Sequence, residues 1–258
     1  MSWSGVISPP GTRGTTEYVP SHWMLARKRS LVSGSGTCFL SRTWSFQTLA
    51  RYARLDRHPD HVCTGNTAYR AAALQAVGGF DETLGYGYDN DVSYRLQAAG
   101  YRLAFCREAR SRHRWREGLV GYLTQQYGFG YGRLDVVARH PARLAGDAVS
   151  PARMMGHPLV MAVSMVLLVA AAGLTISGGD AIGVGVVGAA LLLALAAERA
   201  VAGIRAWRAF GSPTALAFPV VHLMRDLAWV AAMLVWTARR VLGRPLKPEH
   251  SMAARPIV

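Results

Sequence analysis

The chain has 258 residues, 51% of them hydrophobic, and 29 Lys+Arg against 15 Asp+Glu give it a formal net charge of +14. That length carries one or two domains with a sizeable core, and the apolar content excludes an intrinsically disordered chain. Three scattered cysteines, Cys38, Cys63 and Cys106, exclude a disulfide framework or a CxxC zinc site and fit a reducing compartment.

The opening MSWSGVISPP lacks the basic and apolar regions of a signal peptide. Val62 to Thr64 is predicted as a short strand ending in the turn Gly65-Asn66. Arg70 to Val77 is predicted as a helix stopped by Gly78-Gly79, a C-cap signature. Asp89 is predicted to be the N-cap of a second helix that ends at Gly100, and Tyr101 to Phe105 alternates as a strand. Arg110, Arg112, Arg114 and Arg116 are spaced by two, so a strand would gather them on one face, with Ser111, His113 and Trp115 on the other. A basic face of that kind suits a diphosphate or an anionic headgroup; the plainer reading is a solvated edge strand. This order of elements makes residues 1–156 α/β.

Charge thins out after Gly156. Residues 1–156 carry net +9 and residues 157–258 net +5. Pro158 to Ser177 is an uncharged run long enough to cross ~30 Å of hydrocarbon. Gly178-Gly179-Asp180 then turns the chain into a second uncharged run, Ala181 to Ala197, so the two are predicted to form an antiparallel hairpin. A third run, Thr214 to Ala238, contains His222, Arg225 and Asp226. One such central charge costs ~2.5–3.5 kcal/mol on insertion scales, so a membrane-associated helix in protein-lined or water-lined surroundings is expected. Arg139, Arg143 and Arg153 precede the first run, and Arg199, Arg205 and Arg208 follow the second, which places both flanks in the cytoplasm. A third crossing would leave Arg239, Arg240, Arg244 and Lys247 outside, so the sequence is compatible with a crossing and with an interfacial position.

The stretch Cys63 to Gly132 holds an ordered set of short motifs: Thr64-Gly65-Asn66, Gly78 to Glu82 (GGFDE), Asp89, Arg95-Leu96 and Gly100. The set resembles the C-terminal half of the catalytic domain of family 2 glycosyltransferases, where membrane helices usually follow. The resemblance implies a partial GT-A (nucleotide-diphospho-sugar transferase-like) α/β domain over residues 1–156. Over residues 157–258 it implies a helical membrane region of two or three helices with a basic tail. It implies that Asp89 is the catalytic base, taking a proton from the acceptor hydroxyl. Tyr88 stands where Glu is usual, and a helix cap is the plainer role for Asp89. Substrate binding is expected of Thr64, Gly65, Asn66, Asp81, Glu82, Asp91, Arg95 and Trp115. His113, 24 residues after Asp89, matches a metal-completing His of some family members, with Mg2+ or Mn2+ as the implied cofactor; a structural His is the plainer reading. Gln125, Gln126 and Arg133 lie in QQYGFGYGR, in the place of the family's Q-x-x-R-W acceptor motif. The departure favours single-sugar transfer over processive synthesis; an interfacial helix end is the alternative.

Asp89-Asn90-Asp91 is the only D-x-D in the chain, but it opens a helix where the family's metal-binding and nucleotide-binding D-x-D closes a strand. Most of the nucleotide-binding half is therefore expected to be missing, through truncation, a misplaced start or a split enzyme. The expected function is a multi-pass cell-membrane inverting glycosyltransferase of cell-envelope polysaccharide biosynthesis, with its catalytic part cytoplasmic. Its expected partners are a nucleotide-sugar donor and a lipid-linked or glycan acceptor, and it is expected to be inactive alone. The alternative is a non-catalytic membrane-anchored subunit that brings acceptor recognition to a partner chain. Nucleic acid is not an expected partner, because no recognisable binding module is present.

Overall fold

The computed structural model describes residues 57–64, 67–106, 118–147 and 150–243. Its helices are α1 (Ala71–Ala76), α2 (Tyr88–Ala98), α3 (Leu119–Arg139), α4 (Ala152–Ile176), α5 (Ile182–Phe210) and α6 (Phe218–Val241). Short 3-10 turns, Pro141–Arg143 and Pro213–Ala217, follow α3 and α5.

The expected α/β fold, and the partial GT-A domain with it, is overturned: the described residues contain no strand. Side chains occupy the positions that a sheet ladder would need. The Val62 N–H donates to Ser93 Oγ on α2 at 3.2 Å, and the Leu103 carbonyl meets a His58 ring nitrogen at 2.8 Å. Thr64 already lies in a 3-10 turn, and Arg102 and Phe105 form single bridges only. Without successive ladder bonds an extended segment is not a strand. The arginines at 110–116 lie outside the described residues.

The helices follow the sequence more closely. α1 ends where Gly78 and Gly79 adopt φ of 79° and 75°, as the C-cap reading requires. α2 begins one residue before the expected cap. Gly87, at φ 77°, is the N-cap, and Asp89 lies inside the first turn. A small core of Val62, Ala73, Val92, Leu96 and Leu103 joins α1, α2 and the flanking segments.

α4 and α5 form the expected hairpin around Gly178. Small residues let their backbones approach: Ser164 Oγ donates to the Gly188 carbonyl at 2.8 Å, and a Cβ on Gly185 would lie 3.4 Å from Ala171 Cβ. Val166, Val169, Ile176, Ile182, Val186 and Leu193 point outward. Three helical stretches are long and apolar enough to cross a membrane, Ala152–Ile176, Ile182–Ala209 and Pro213–Val241. The protein is therefore membrane-associated.

α3 joins the two parts of the chain. Tyr122 Oη donates to the Val221 carbonyl at 3.1 Å, and Gly130 lies against Trp229 and Ala232. Asp135 Oδ1 accepts the Trp236 Nε1–H at 2.9 Å. These contacts advance together along both chains, so α3 and α6 run parallel. The opposite side of α3 receives Tyr86, whose ring packs on Gly128 and whose backbone packs on Gly132. A Cβ on Gly132 would sit 2.8 Å from the Tyr86 carbonyl oxygen, closer than such atoms can approach, whereas a Cβ on Gly173 would meet nothing within 4 Å. Gly132→Ala is expected to lower stability by ~1–3 kcal/mol despite its better helix propensity. Gly173→Ala should be neutral or stabilising, and thermal unfolding of the detergent-solubilised chain compares the two.

Candidate functional site

The local chain path half-buries Asp89. Ser93 Oγ donates to the Asp89 carbonyl at 2.6 Å while accepting the Val62 N–H, which lays residues 61–64 across the first turn of α2. Thr67 Oγ1 donates to the Cys63 carbonyl at 2.5 Å and curls the segment back. The half-buried Asp89 carboxylate accepts the Asn90 N–H at 3.0 Å and is also reached by the Thr64 N–H. Burial raises its pKa above the ordinary carboxylate value. The nearby His61 charge and the backbone N–H groups oppose that rise without cancelling it.

Three aromatic rings form a run that starts at Tyr69, on which the Asp89 charge acts, and ends at Tyr88, the residue before Asp89. Tyr69 meets Phe80 edge-to-face at 5.6 Å, and Phe80 meets Tyr88 at 6.0 Å. Phe80 remains 36% exposed and Tyr88 38%, so they present ring surface to a ligand. Tyr88 Oη also accepts a bond from Thr64 Oγ1 at 3.4 Å. The buried Tyr69 hydroxyl has no hydrogen-bond partner among the described residues. Burial first, and Asp89 next, push its pKa well up, so it is a neutral donor. These rings were not read from the sequence. The signal was present in Tyr88, the aromatic that stands where the family pattern has Glu.

Thr64 thus joins Asp89, while the other expected binding residues are placed differently. Asp91 is buried and bonded to Arg95 at 2.7 Å and to His140 at 2.8 Å. Arg95 also donates to the Val77 and Gly79 carbonyls, tying α2 to the end of α1. Asp81 accepts from Thr83 and from Arg139, while Glu82 is exposed. Gln125 and Gln126 lie inside α3 instead of at a helix end; Gln126 is buried, and its Nε2 has no partner among the described residues. Gly65, Asn66, His113 and Trp115 lie outside the described residues. Among the described residues no three His, Cys, Asp or Glu side chains gather to hold a metal ion. A hard divalent cation prefers several oxygen ligands, so the described residues by themselves do not fit the implied metal. The chemistry open to them is binding and proton transfer.

Arg133 belongs to a hub that shares His61 with the surroundings of Asp89. Asp147 accepts the Tyr94 hydroxyl at 2.5 Å and the Ser150 N–H at 2.7 Å, and lies 3.3 Å from His61 Nδ1 and 3.6 Å from Arg133. Burial alone would raise the Asp147 pKa, but His61, Tyr94 and Ser150 hold it well below the usual range. Burial and Asp147 push the Tyr94 hydroxyl up to about 12. Because the folded-state pKa of Asp147 is depressed, its stabilisation is complete above the ordinary carboxylate range and fades as pH falls below it. Asp147→Asn should cost ~3–5 kcal/mol at neutral pH and flatten that acid-side loss, as read from unfolding curves across pH.

Comparison with known proteins gives partial relatives. The chain is 33% identical over 91 residues to the pre-mycofactocin glycosyltransferase of Mycobacterium tuberculosis, covering 35% of this chain and 19% of that protein. It is 36% identical over 73 residues to the succinoglycan biosynthesis protein ExoA of Rhizobium meliloti, covering 28% of this chain and 22% of that protein. The chain thus spans about a fifth of the length of these curated relatives. No solved structure matches it. Residues 17–240, most of the chain, match glycosyl transferase family group 2, and the chain belongs to that family.

Proposed function

We propose that the chain is the acceptor-side part of a membrane-anchored inverting glycosyltransferase, with Asp89 as general base. The observation that carries this reading is the half-buried Asp89 carboxylate, held by the Asn90 N–H at the start of α2 beside the exposed Phe80 and Tyr88 rings. The acceptor hydroxyl gives its proton to Asp89 as its oxygen bonds to the anomeric carbon of a nucleotide-sugar. The nucleoside diphosphate leaves from the opposite face, so the configuration inverts. Phe80 and Tyr88 would stack on a sugar ring of a lipid-linked or cell-envelope glycan acceptor. Residues 1–156 would supply these groups, and residues 157–258 would hold them at the cell membrane with the catalytic part in the cytoplasm.

In this reading α4 and α5 cross and α6 does not. α3 covers one side of α6 and carries Gln126, Arg133, Asp135 and the Tyr86 loop with it. Sinking that assembly into hydrocarbon would be costly. An interfacial α6 also keeps the arginines before α4, after α5 and at the end of α6 on one side, as the positive-inside rule favours.

Nucleotide release from UDP-, GDP- and TDP-sugars tests the reading. The chain alone is expected to turn over little, because the described residues around Asp89 include no groups for the donor diphosphate. Supplied with a partner chain that brings donor-binding groups, it should be active. Asp89→Asn should abolish that activity with the fold retained. The acid limb of the pH–rate profile should lie above the ordinary carboxylate range, since a base with a raised pKa is lost at higher pH. Robust turnover that survives Asp89→Asn would remove the assignment. In the same active preparation, Phe80→Ala and Tyr88→Ala should each raise the acceptor KM about ten-fold, the loss of a contact of ~1.4 kcal/mol. Steady-state kinetics at saturating donor checks this.

A further inference from the structure

The Tyr69 side chain is oriented against the usual habit of a tyrosine near the surface. Its ring is partly exposed, yet Oη is buried and has no hydrogen-bond partner among the described residues. Tyrosine ordinarily lays its ring on apolar surface and keeps its hydroxyl in water. The chain path imposes the reversal. Thr67 curls the segment back on Cys63, and Arg70 caps α1 in an extended conformation. Between them the Tyr69 ring packs on the core of Val62, Ala73, Val92, Leu96 and Leu103, and it meets the Phe80 ring at 5.6 Å.

Two other tyrosines with buried rings have acceptors: Tyr94 donates to Asp147 and Tyr122 to the Val221 carbonyl. A buried hydroxyl without an acceptor loses its hydration uncompensated. Tyr69 therefore calls for an oxygen that the described residues do not supply.

Its surroundings say which oxygen. The ionisable groups of Asp89, Cys63 and Tyr88 all act on Tyr69 electrostatically. Thr64 links the same groups, through its N–H to the Asp89 carboxylate and through Oγ1 to Tyr88 Oη. The Tyr69 donor and the Asp89 acceptor thus flank one short segment, residues 63–64, with the exposed Phe80 and Tyr88 rings beside it. Such a pairing matches two adjacent hydroxyls of a sugar. One gives its hydrogen to Asp89 while the oxygen of its neighbour accepts from Tyr69. We propose that Tyr69 is an acceptor-binding residue that selects a sugar with a free hydroxyl next to the one that reacts. The assignment rests on the acceptor-side reading of Asp89. An acceptor that lacks the neighbouring hydroxyl leaves the Tyr69 donor unpaired, and a site built this way discriminates against such an analogue.

The test uses the full chain in lipid nanodiscs, with sugar binding read by saturation-transfer NMR. The probes are methyl β-D-glucopyranoside, methyl β-D-galactopyranoside and methyl α-D-mannopyranoside, all of which carry adjacent hydroxyls. At least one is expected to bind, and Tyr69→Phe should weaken that binding about five-fold, the loss of one neutral hydrogen bond. A monodeoxy form of the bound probe should bind the wild type as weakly as the parent sugar binds Tyr69→Phe, and should not respond to that substitution. Tyr101→Phe, on the same core, should leave binding unchanged. Without sugar, Tyr69→Phe should raise the unfolding temperature by about 2–4 °C, because it deletes an unpaired buried donor. A hydroxyl that only braced the fold would shift it the other way. Binding of none of the probes, equal binding by Tyr69→Phe, no monodeoxy form with the matching loss, or an unfolding temperature that does not rise would overturn the proposal. Turnover in the active preparation separates the two assignments. Turnover that needs Asp89 and is indifferent to Tyr69→Phe removes the role of Tyr69 alone. Tyr69-dependent binding with turnover that survives Asp89→Asn removes the base alone.

Discussion

The close approach of α3 to its two neighbours is the constraint on which the rest depends. Three glycines at alternate positions put contacts on opposite sides of one helix. Gly128 and Gly132 are four residues apart and share a side, while Gly130 faces the other way. One side seats Tyr86, three residues before Asp89, and the other seats Trp229 on α6. Asp89 is thereby fixed relative to α6 through close approaches to glycine that leave little slack. Asp135, Trp236 and Arg240 close the far end of the α3–α6 pair, with the Arg240 guanidinium over the Trp236 ring. Glycine weakens a helix, and here the lost propensity is offset by packing that no larger residue permits.

Arginine does most of the remaining joining. Arg95 holds the end of α1 to α2, Arg133 reaches the hub at Asp147, and Arg143 lies over the Tyr94 ring while pairing with Asp60. Arg139 ties α3 to the Asp81 turn. A guanidinium can satisfy several carbonyls and carboxylates at once, which suits a part of the chain with a small apolar core. The high arginine content is here a framework. Asp91 and Arg95, both expected to bind substrate, pair with each other within that framework.

The α4–α5 hairpin was legible because it depends on a local property, the length of an uncharged run. The glycine stop after α1 was legible for the same reason. The strands were misread because a strand needs a partner, and apolar alternation does not reveal that Ser93 and His58 take the ladder positions. The N-cap shifted because Gly87 adopts a left-handed φ, which freed Asp89 to sit inside the turn. Asp89 itself was singled out by its place in an ordered motif set. The aromatic rings around it were not, since Tyr69, Phe80 and Tyr88 converge from three separate segments. QQYGFGYGR reads as a loop-like helix end by its alternating glycines, yet those glycines mark contacts in mid-helix.

The parallel pairing of α3 with α6 bears on how this molecule can be divided. Composition draws a line near residue 156, and a soluble fragment would ordinarily be cut there. That cut would strip α3 of Trp229, Ala232 and Trp236 and leave the Gly130 side facing water as an apolar furrow. Tyr122 Oη would lose its acceptor on Val221. An isolated water-soluble piece would then carry a sticky helix directly behind the Tyr86 loop, prone to self-association. The smallest handleable unit keeps its membrane helices, and work on the Asp89 site has to be done in detergent or lipid from the start.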